Sequence, residues 1–204
     1  MRKTLLIAAL ALCSGSAFAQ VYVGGGIGVT HSNASDKTAD VFGYSSYSKD
    51  SSNSAAMLYG GFQFDPHVAV EASYIDFGSY ETRGRIGGGE AADSLSAHGF
   101  GVAAVLSSSP RNGFSIYGKL GLGIVEQKYR CLQFGCAASP DHTDQSLVLT
   151  FGAGARWDAM PNVSMRAGYE LFGGADYPVS DGGRTRNEDR VNYGLFFIGA
   201  EARF

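Results

Sequence analysis

The chain has 204 residues, 45% of them hydrophobic and 17% charged, with a formal net charge of −3. This length suits one domain, and the weakly acidic balance argues against a nucleic-acid partner, which selects a basic surface. Beyond the first twenty residues, no apolar run reaches the length of about 18 residues that a membrane helix needs. The 29 glycines and 13 phenylalanines beside only 5 prolines indicate a β-rich protein.

The N-terminus has the pattern of a secretory signal peptide. A basic pair, a short apolar stretch and a small-residue cleavage site follow one another: Arg2 and Lys3, Leu5–Cys13, and Ala17-Phe18-Ala19. We predict a signal peptide over residues 1–19, export through the Sec pathway and cleavage after Ala19. Cys13 raises a lipoprotein alternative, which the bulky Leu12 before it disfavours.

Cleavage would leave two cysteines, Cys131 and Cys136, in an oxidising compartment. They stand close together in a polar segment, and we predict a disulfide that closes a small loop. Two free thiols are the alternative. A metal site would need more ligands than the neighbouring His142 supplies, so we expect no metal and no cofactor.

Eight segments alternate apolar side chains with polar or small ones, which is typical of strands with two different faces. In chain order they are residues 21–29, 54–64, 68–77, 94–106, 114–126, 146–157, 163–172 and 191–204. In the fifth segment, Ile116, Leu120 and Leu122 share one face, and Lys119 and Gly121 share the other. The alternation predicts eight strands with one face toward lipid.

The connections between these segments alternate strictly between short and long. The short ones are residues 65–67, 107–113 and 158–162, and the long polar ones are about 30–53, 78–93, 127–145 and 173–190. Outer-membrane barrels sort their periplasmic turns and extracellular loops in this way. Because an open sheet edge is costly in lipid, the strands must close. We predict an all-β fold, an eight-stranded antiparallel up-and-down transmembrane β-barrel, over residues 20–204.

Aromatic residues concentrate at the ends of the predicted strands. Five lie near the short turns and five near the long loops: Phe62, Phe64, Phe114, Trp157 and Phe204, and then Tyr74, Phe77, Tyr129, Tyr169 and Phe172. Two girdles of aromatic residues, one at each membrane interface, are expected of an outer-membrane barrel.

The inward positions of the predicted strands carry charges. Eight strands enclose a space only wide enough for side chains, and alternation places seven ions there: Glu71, Lys119, Arg156, Arg166, Glu170, Glu201 and Arg203. Because an unpaired buried ion is costly, we predict a network of ion pairs. Its role has two interpretations, a structural filling of the lumen, which we favour, and a gated path for ions.

Three stretches, residues 68–78, 117–123 and 161–173, carry the sequences VAVEASYIDFG, YGKLGLG and PNVSMRAGYELFG. They resemble the third, fifth and seventh strands of the OmpA-like transmembrane family of small outer-membrane barrels. The resemblance implies a lumen network that contains Glu71, Lys119, Arg166 and Glu170. The inclusion of the other charged positions depends on alternation.

The chain ends in Phe204, directly after the last predicted strand. A terminal aromatic residue resembles the signal that the outer-membrane barrel assembly machinery recognises, which implies that machinery as a partner and the cell outer membrane as the location. Relatives with a periplasmic peptidoglycan-binding domain continue past this point, so we expect a barrel-only member.

No catalytic arrangement is visible in the sequence. Barrels of this architecture that act as lipid A deacylases carry a His-x-Ser pair. This sequence does not resemble them there, since serine does not follow two residues after any of the four histidines, His31, His67, His98 and His142. Ser96-Ala97-His98 has the reverse order. We expect a non-enzymatic protein, with a lipid A-modifying hydrolase as the less favoured alternative.

The predicted loops have compositions that suit surface contacts. Residues 31–53 are rich in serine, and the last loop carries Arg184, Arg186 and Arg190. Solvated loops without a ligand are the alternative. We predict a structural barrel that contacts outer-membrane lipids and lipopolysaccharide and whose loops mediate adhesion or host interaction. A narrow channel for ions or small solutes is the alternative function.

Overall fold

The computed structural model describes residues 20–33, 47–49, 52–86, 89–131, 142–176 and 190–204. The strands within these ranges are β1 (Gln20–Ser32), β2 (Tyr47–Lys49), β3 (Ser52–Gln63), β4 (Val68–Ile86), β5 (Gly89–Ser107), β6 (Phe114–Cys131), β7 (His142–Met160), β8 (Val163–Asp176) and β9 (Arg190–Arg203). The predicted signal peptide lies outside the described residues. Within them, no helix is long and apolar enough to cross a bilayer.

The strands form one antiparallel sheet that closes on itself. The order around the ring is β1, β3, β4, β5, β6, β7, β8 and β9, and β9 pairs back with β1 from Tyr22 opposite Arg203 to Ser32 opposite Tyr193. The short β2 lies outside this ring and pairs with the far part of β4. The prediction of an eight-stranded antiparallel up-and-down barrel is therefore confirmed.

Alternation along each strand separates a lipid-facing surface from the lumen. Leu120 on β6 exposes 58% of its surface and its neighbour Lys119 only 8%. On β9, Phe196 and Ile198 are exposed and Phe197 between them is buried. An exterior of large apolar side chains is unfavourable in water and favourable in a bilayer, which explains why the barrel is apolar outside and charged inside.

From β3 to β7, the register between strands gives this apolar exterior a sharp upper edge. Neighbouring strands align their last large outward residues in one row, Leu58, Tyr74, Phe100, Ile124 and Leu147. The next outward row is polar and contains Asp76, His98, Glu126 and Gln145. With a rise of about 3.3 Å per residue and a tilt of about 40°, Phe114 to Ile124 spans about 25 Å, the height of an outer-membrane apolar band.

The short turns follow local hydrogen-bonding rules. Asn112 and Gly113 both have positive φ, 51° and 80°, and Arg111 and Phe114 exchange backbone hydrogen bonds of 2.8 and 3.0 Å around them. A two-residue hairpin turn of type I′ needs this conformation at both positions, and Asn-Gly is its preferred sequence. In the β3–β4 turn, Asp65 Oδ1 accepts hydrogen bonds from the backbone N–H groups of His67 and Val68.

The strands extend farther beyond the lipid band than the sequence pattern predicts. Residues 78–93, predicted as a long loop, belong almost entirely to a hairpin of β4 and β5, so that prediction is wrong. A bulge between Asp76 and Gly78, where Gly78 has a φ of 80°, shifts the alternation. Above it the polarity of the two faces is reversed, with Ser79 outward and Tyr80 buried.

A cation placed in the middle of the lipid band should destabilise the barrel. We expect Leu120→Arg to lower the free energy of unfolding in vesicles by about 2–4 kcal/mol, because the guanidinium would replace lipid contacts. Ser54→Arg, at an outward position above the band, should cost about 1 kcal/mol or less. Urea titration checks both variants, and equal losses would contradict this placement of the membrane.

Candidate functional site

The inward faces of β4 and β6 to β9 bring charged side chains together in the part of the lumen nearer the short turns. The structure places all seven predicted residues there and adds an eighth, Asp158. We call these eight residues the lumen charge network: Glu71, Lys119, Arg156, Asp158, Arg166, Glu170, Glu201 and Arg203.

Glu71 is the centre of this network, and its side chain has no exposed surface. Its Oε1 lies 2.7 Å from Lys119 Nζ, and its Oε2 lies 2.7 Å from Arg166 Nη1. The Tyr22 hydroxyl donates a 2.8 Å hydrogen bond to Oε2, and Lys119 also pairs with Glu170. Two cations and a phenol therefore replace the water that a buried carboxylate loses.

Arg166 connects the centre of the network to its lower part. Its Nη1 lies 3.3 Å from Glu201 Oε2, and its guanidinium carbon lies 4.6 Å from the ring centroid of Tyr59 and 4.4 Å from that of Tyr117. A guanidinium between two aromatic faces gains cation–π energy, which is largest where water is excluded. The alternation predicts that Tyr59 faces inward, but no sequence rule says which cation it meets.

Asp158 is the residue that the sequence prediction missed. It lies beyond the predicted end of its strand, but β7 continues to Met160 and carries Asp158 into the lumen. Arg203 Nη2 lies 2.8 Å from Asp158 Oδ1, and Arg156 Nε lies 3.6 Å from the same oxygen. Extending the alternation by two residues from Arg156 would have found it. With Asp158 included, four cations face four carboxylates and the network is formally neutral.

Glycines on the inward faces make room for these long side chains. Gly154 on β7 and Gly168 on β8 lie opposite each other, and a Cβ at either position would collide with the Tyr117 hydroxyl. The Tyr117 ring can reach Arg166 because the wall behind it carries no side chain. The glycine-rich alternation in the sequence thus serves the packing of the lumen.

Above the charge network, apolar groups fill the lumen. The Phe77 ring centroid lies 5.4 Å from that of Phe172 and 5.0 Å from that of Tyr193, which lies 6.2 Å from that of Tyr80. We call these four side chains the aromatic layer, and each exposes 2% or less of its surface. The Tyr193 hydroxyl donates a 2.9 Å hydrogen bond to Gln127 Oε1, which satisfies the polar end of this side chain.

The predicted girdle of aromatic residues near the long loops is wrong for three of its members. Phe77, Tyr129 and Phe172 were expected at the membrane interface, and all three are buried inside the barrel. A position near a strand end sets the level of a side chain along the membrane normal. Its place in the alternation decides whether it faces the lipid or the lumen. Tyr74 is exposed as expected, and at the other interface Phe114 stacks on Trp157 with centroids 5.9 Å apart.

The remaining predicted sites stay predictions. Cys131 ends β6, but Cys136 lies outside the described residues, so the disulfide is untested. Phe204 is exposed and its N–H donates to the Val21 carbonyl at 2.9 Å, which is a structural contact and does not test its role in assembly. In the described ranges, no group of three or more His, Cys, Asp or Glu side chains could hold a metal ion.

A closed antiparallel barrel with an apolar band and a packed polar lumen is the architecture of an integral outer-membrane β-barrel protein. The chain belongs to the OmpA-like transmembrane domain family, whose sequence profile matches residues 16–191. No match is found among curated proteins.

Solved structures of small outer-membrane proteins share this fold. OprG of Pseudomonas aeruginosa has a TM-score of 0.61 at 12% identity, covering 92% of this chain and 96% of its own. Neisserial surface protein A has a TM-score of 0.56 at 14% identity, covering 90% and 97%. Ail, the attachment invasion locus protein of Yersinia pestis, has a TM-score of 0.54 at 19% identity, covering 92% and 99%. At these identities the likeness shows the fold alone.

Removal of the central cation should strongly destabilise the barrel. We expect Arg166→Met to lower the free energy of unfolding by about 3–5 kcal/mol, because it leaves buried carboxylates with fewer partners. Arg111→Met, in an exposed turn, is the matched control and should change it by about 0.5 kcal/mol or less. Urea unfolding followed by fluorescence of the single tryptophan, Trp157, measures both, and similar losses would contradict a stabilising network.

Proposed function

We propose that this protein is a non-enzymatic outer-membrane barrel with a closed lumen, whose surface loops bind a ligand outside the cell. The observation that carries the proposal is that two different groups of side chains fill the lumen, one above the other. The neutral charge network occupies one part, and the aromatic layer occupies the part nearer the long loops. Because both groups of side chains obstruct the lumen, we place ligand binding on the surface of the barrel.

The filled lumen argues against the alternative of a narrow channel. A permeant ion would have to separate pairs such as Glu71–Lys119 and then pass Phe77, Phe172 and Tyr193, which offer an ion no replacement for its hydration shell. The equal number of cations and carboxylates also leaves the lumen charge network with no net charge to attract an ion of either sign.

Electrical recording tests the closed lumen. We expect no steady openings from the mature protein in planar bilayers, and none from Glu71→Ala plus Lys119→Ala, because the aromatic layer remains in both. The refolded fraction, measured as the band that shifts on boiling, controls for loss of the barrel. Steady openings in the unaltered protein that vanish in the double variant would establish the channel instead.

The surface role draws support from the shape of the described strands and from one relative. β4 and β5 continue beyond Tyr74 and Phe100 as paired strands above the lipid band. Ail of Yersinia pestis has been crystallised in complex with the heparin analogue sucrose octasulfate. The last predicted loop of the present chain carries Arg184, Arg186 and Arg190, so we propose an anionic ligand of this chemical kind.

A binding measurement with sucrose octasulfate tests this proposal. Replacement of Arg184, Arg186 and Arg190 together by serine should weaken binding by about tenfold or more and reduce its dependence on salt, because charge-assisted contacts are lost. Arg111→Ser, in a short turn at the opposite end, should bind like the unaltered protein. An unchanged affinity of the triple variant would exclude this loop as the binding surface.

A further inference from the structure

We propose that the outer wall of β5, β6 and β7, just above the apolar band, binds a phosphate group of an outer-leaflet glycolipid through Lys128 and Arg130. The inference rests on the proposed orientation, with the long loops outside the cell. It names a lipid partner and a site on the barrel wall that the loop proposal does not include.

The alternation of β6 places both cations on the lipid-facing side. Val125, Gln127 and Tyr129 are buried in the lumen, so Lys128 and Arg130 continue the outward face above Ile124. With a rise of about 2.5 Å per residue along the membrane normal, Lys128 stands about 10 Å and Arg130 about 15 Å above Ile124. Long basic side chains bend toward the membrane interface, which brings both charges to the level of lipid headgroups.

No described residue forms an ion pair with either cation. In the part of the chain that the structure describes, Lys128 and Arg130 have no ion pair, whereas the exposed Arg83 pairs with Glu81 at 2.7 Å. The nearest outward carboxylate on β6, Glu126, accepts a 2.8 Å hydrogen bond from Gln145. Two positive charges that no described residue pairs, on a wall at the level of the headgroups, call for a negative group supplied by the lipid.

The register surrounds these cations with hydroxyl groups. Ser96 on β5 and Thr143 on β7 lie on either side of Lys128, and Ser94 lies beside Arg130. Directly opposed residues of neighbouring strands are about 5 Å apart, so one small anion can reach a cation and an adjacent hydroxyl together. Ammonium, guanidinium and hydroxyl donors in one place are the chemistry that recognises a phosphate.

The position on the wall favours a lipid phosphate over a soluble anion. Phe100, Ile124 and Leu147 form the edge of the apolar band directly below, where acyl chains contact the barrel. A headgroup attached to those chains is already held beside Lys128, so its local concentration is high and little further freedom is lost. A soluble sulfated glycan would have no such advantage at this height.

Native mass spectrometry of the full mature protein tests the site. The probes are lipid A with two phosphates, the same lipid A after dephosphorylation, inorganic phosphate and sucrose octasulfate. We expect the protein to retain the phosphorylated lipid about tenfold more tightly than the dephosphorylated one, and Lys128→Ser plus Arg130→Ser to remove most of this preference. Arg111→Ser, which removes one exposed cation at the opposite end, should keep it in full.

The single variants Lys128→Ser and Arg130→Ser keep the test interpretable, and each should show an intermediate preference. The shift of the folded band on boiling confirms that every variant forms the barrel. A preference that survives in the double variant overturns the proposal, and so does equal retention of both lipids by the unaltered protein. Variant-dependent binding of sucrose octasulfate or inorganic phosphate without lipid preference assigns the surface to soluble anions instead. Ion conductance by the unaltered protein would defeat the closed-lumen proposal and leave this result unaffected.

Discussion

The structure depends on one constraint, that no backbone N–H or C=O group in lipid can remain without a hydrogen bond. Water is absent there, and each unpaired group costs several kcal/mol. The sheet meets this constraint by pairing β9 with β1, so that every strand of the ring has two neighbours. Once the ring is closed with eight strands, its width is set, and the interior must be filled by side chains rather than by a pore.

Closure produces two interiors within one barrel, one charged and one apolar. Nearer the short turns, the wall is apolar outside and the lumen holds ions, as with Leu120 and Lys119 on β6. Above the band the outer face meets headgroups and water, and the same strand shows Lys128 outside and buries Tyr129. The strand keeps its alternation at this level, and its outer face changes from apolar to polar because the medium that it contacts changes.

This change separates what could be predicted from the sequence from what could not. The face of every charged lumen residue follows from alternation, since a single pattern holds throughout the lipid band. The extension of β4 to Ile86 and of β5 back to Gly89 could not be predicted by a search for apolar-outward strands, because described outward residues there, such as Ser79 and Arg83, are polar. The prediction of interfacial aromatic residues considered only the height of Phe77 and Phe172, whereas the alternation of their own strands gives both the inward face that the structure shows. Pairing partners such as Arg166 and Tyr117 depend on register between strands, which no local pattern contains.

The two interiors also explain why the proposed functions lie on the outside of this molecule. A lumen whose ions are neutralised in pairs, as Glu71 is by Lys119 and Arg166, has no free charge to offer a ligand. Above the band the balance differs, because the apolar core there needs no ions and the polar residues face outward. Charges that the fold does not use internally, such as those of Lys128 and Arg130, then stand in the headgroup region or beyond it. The proposed recognition of anionic partners would therefore follow from how the barrel divides its polar groups between the lumen and the surface.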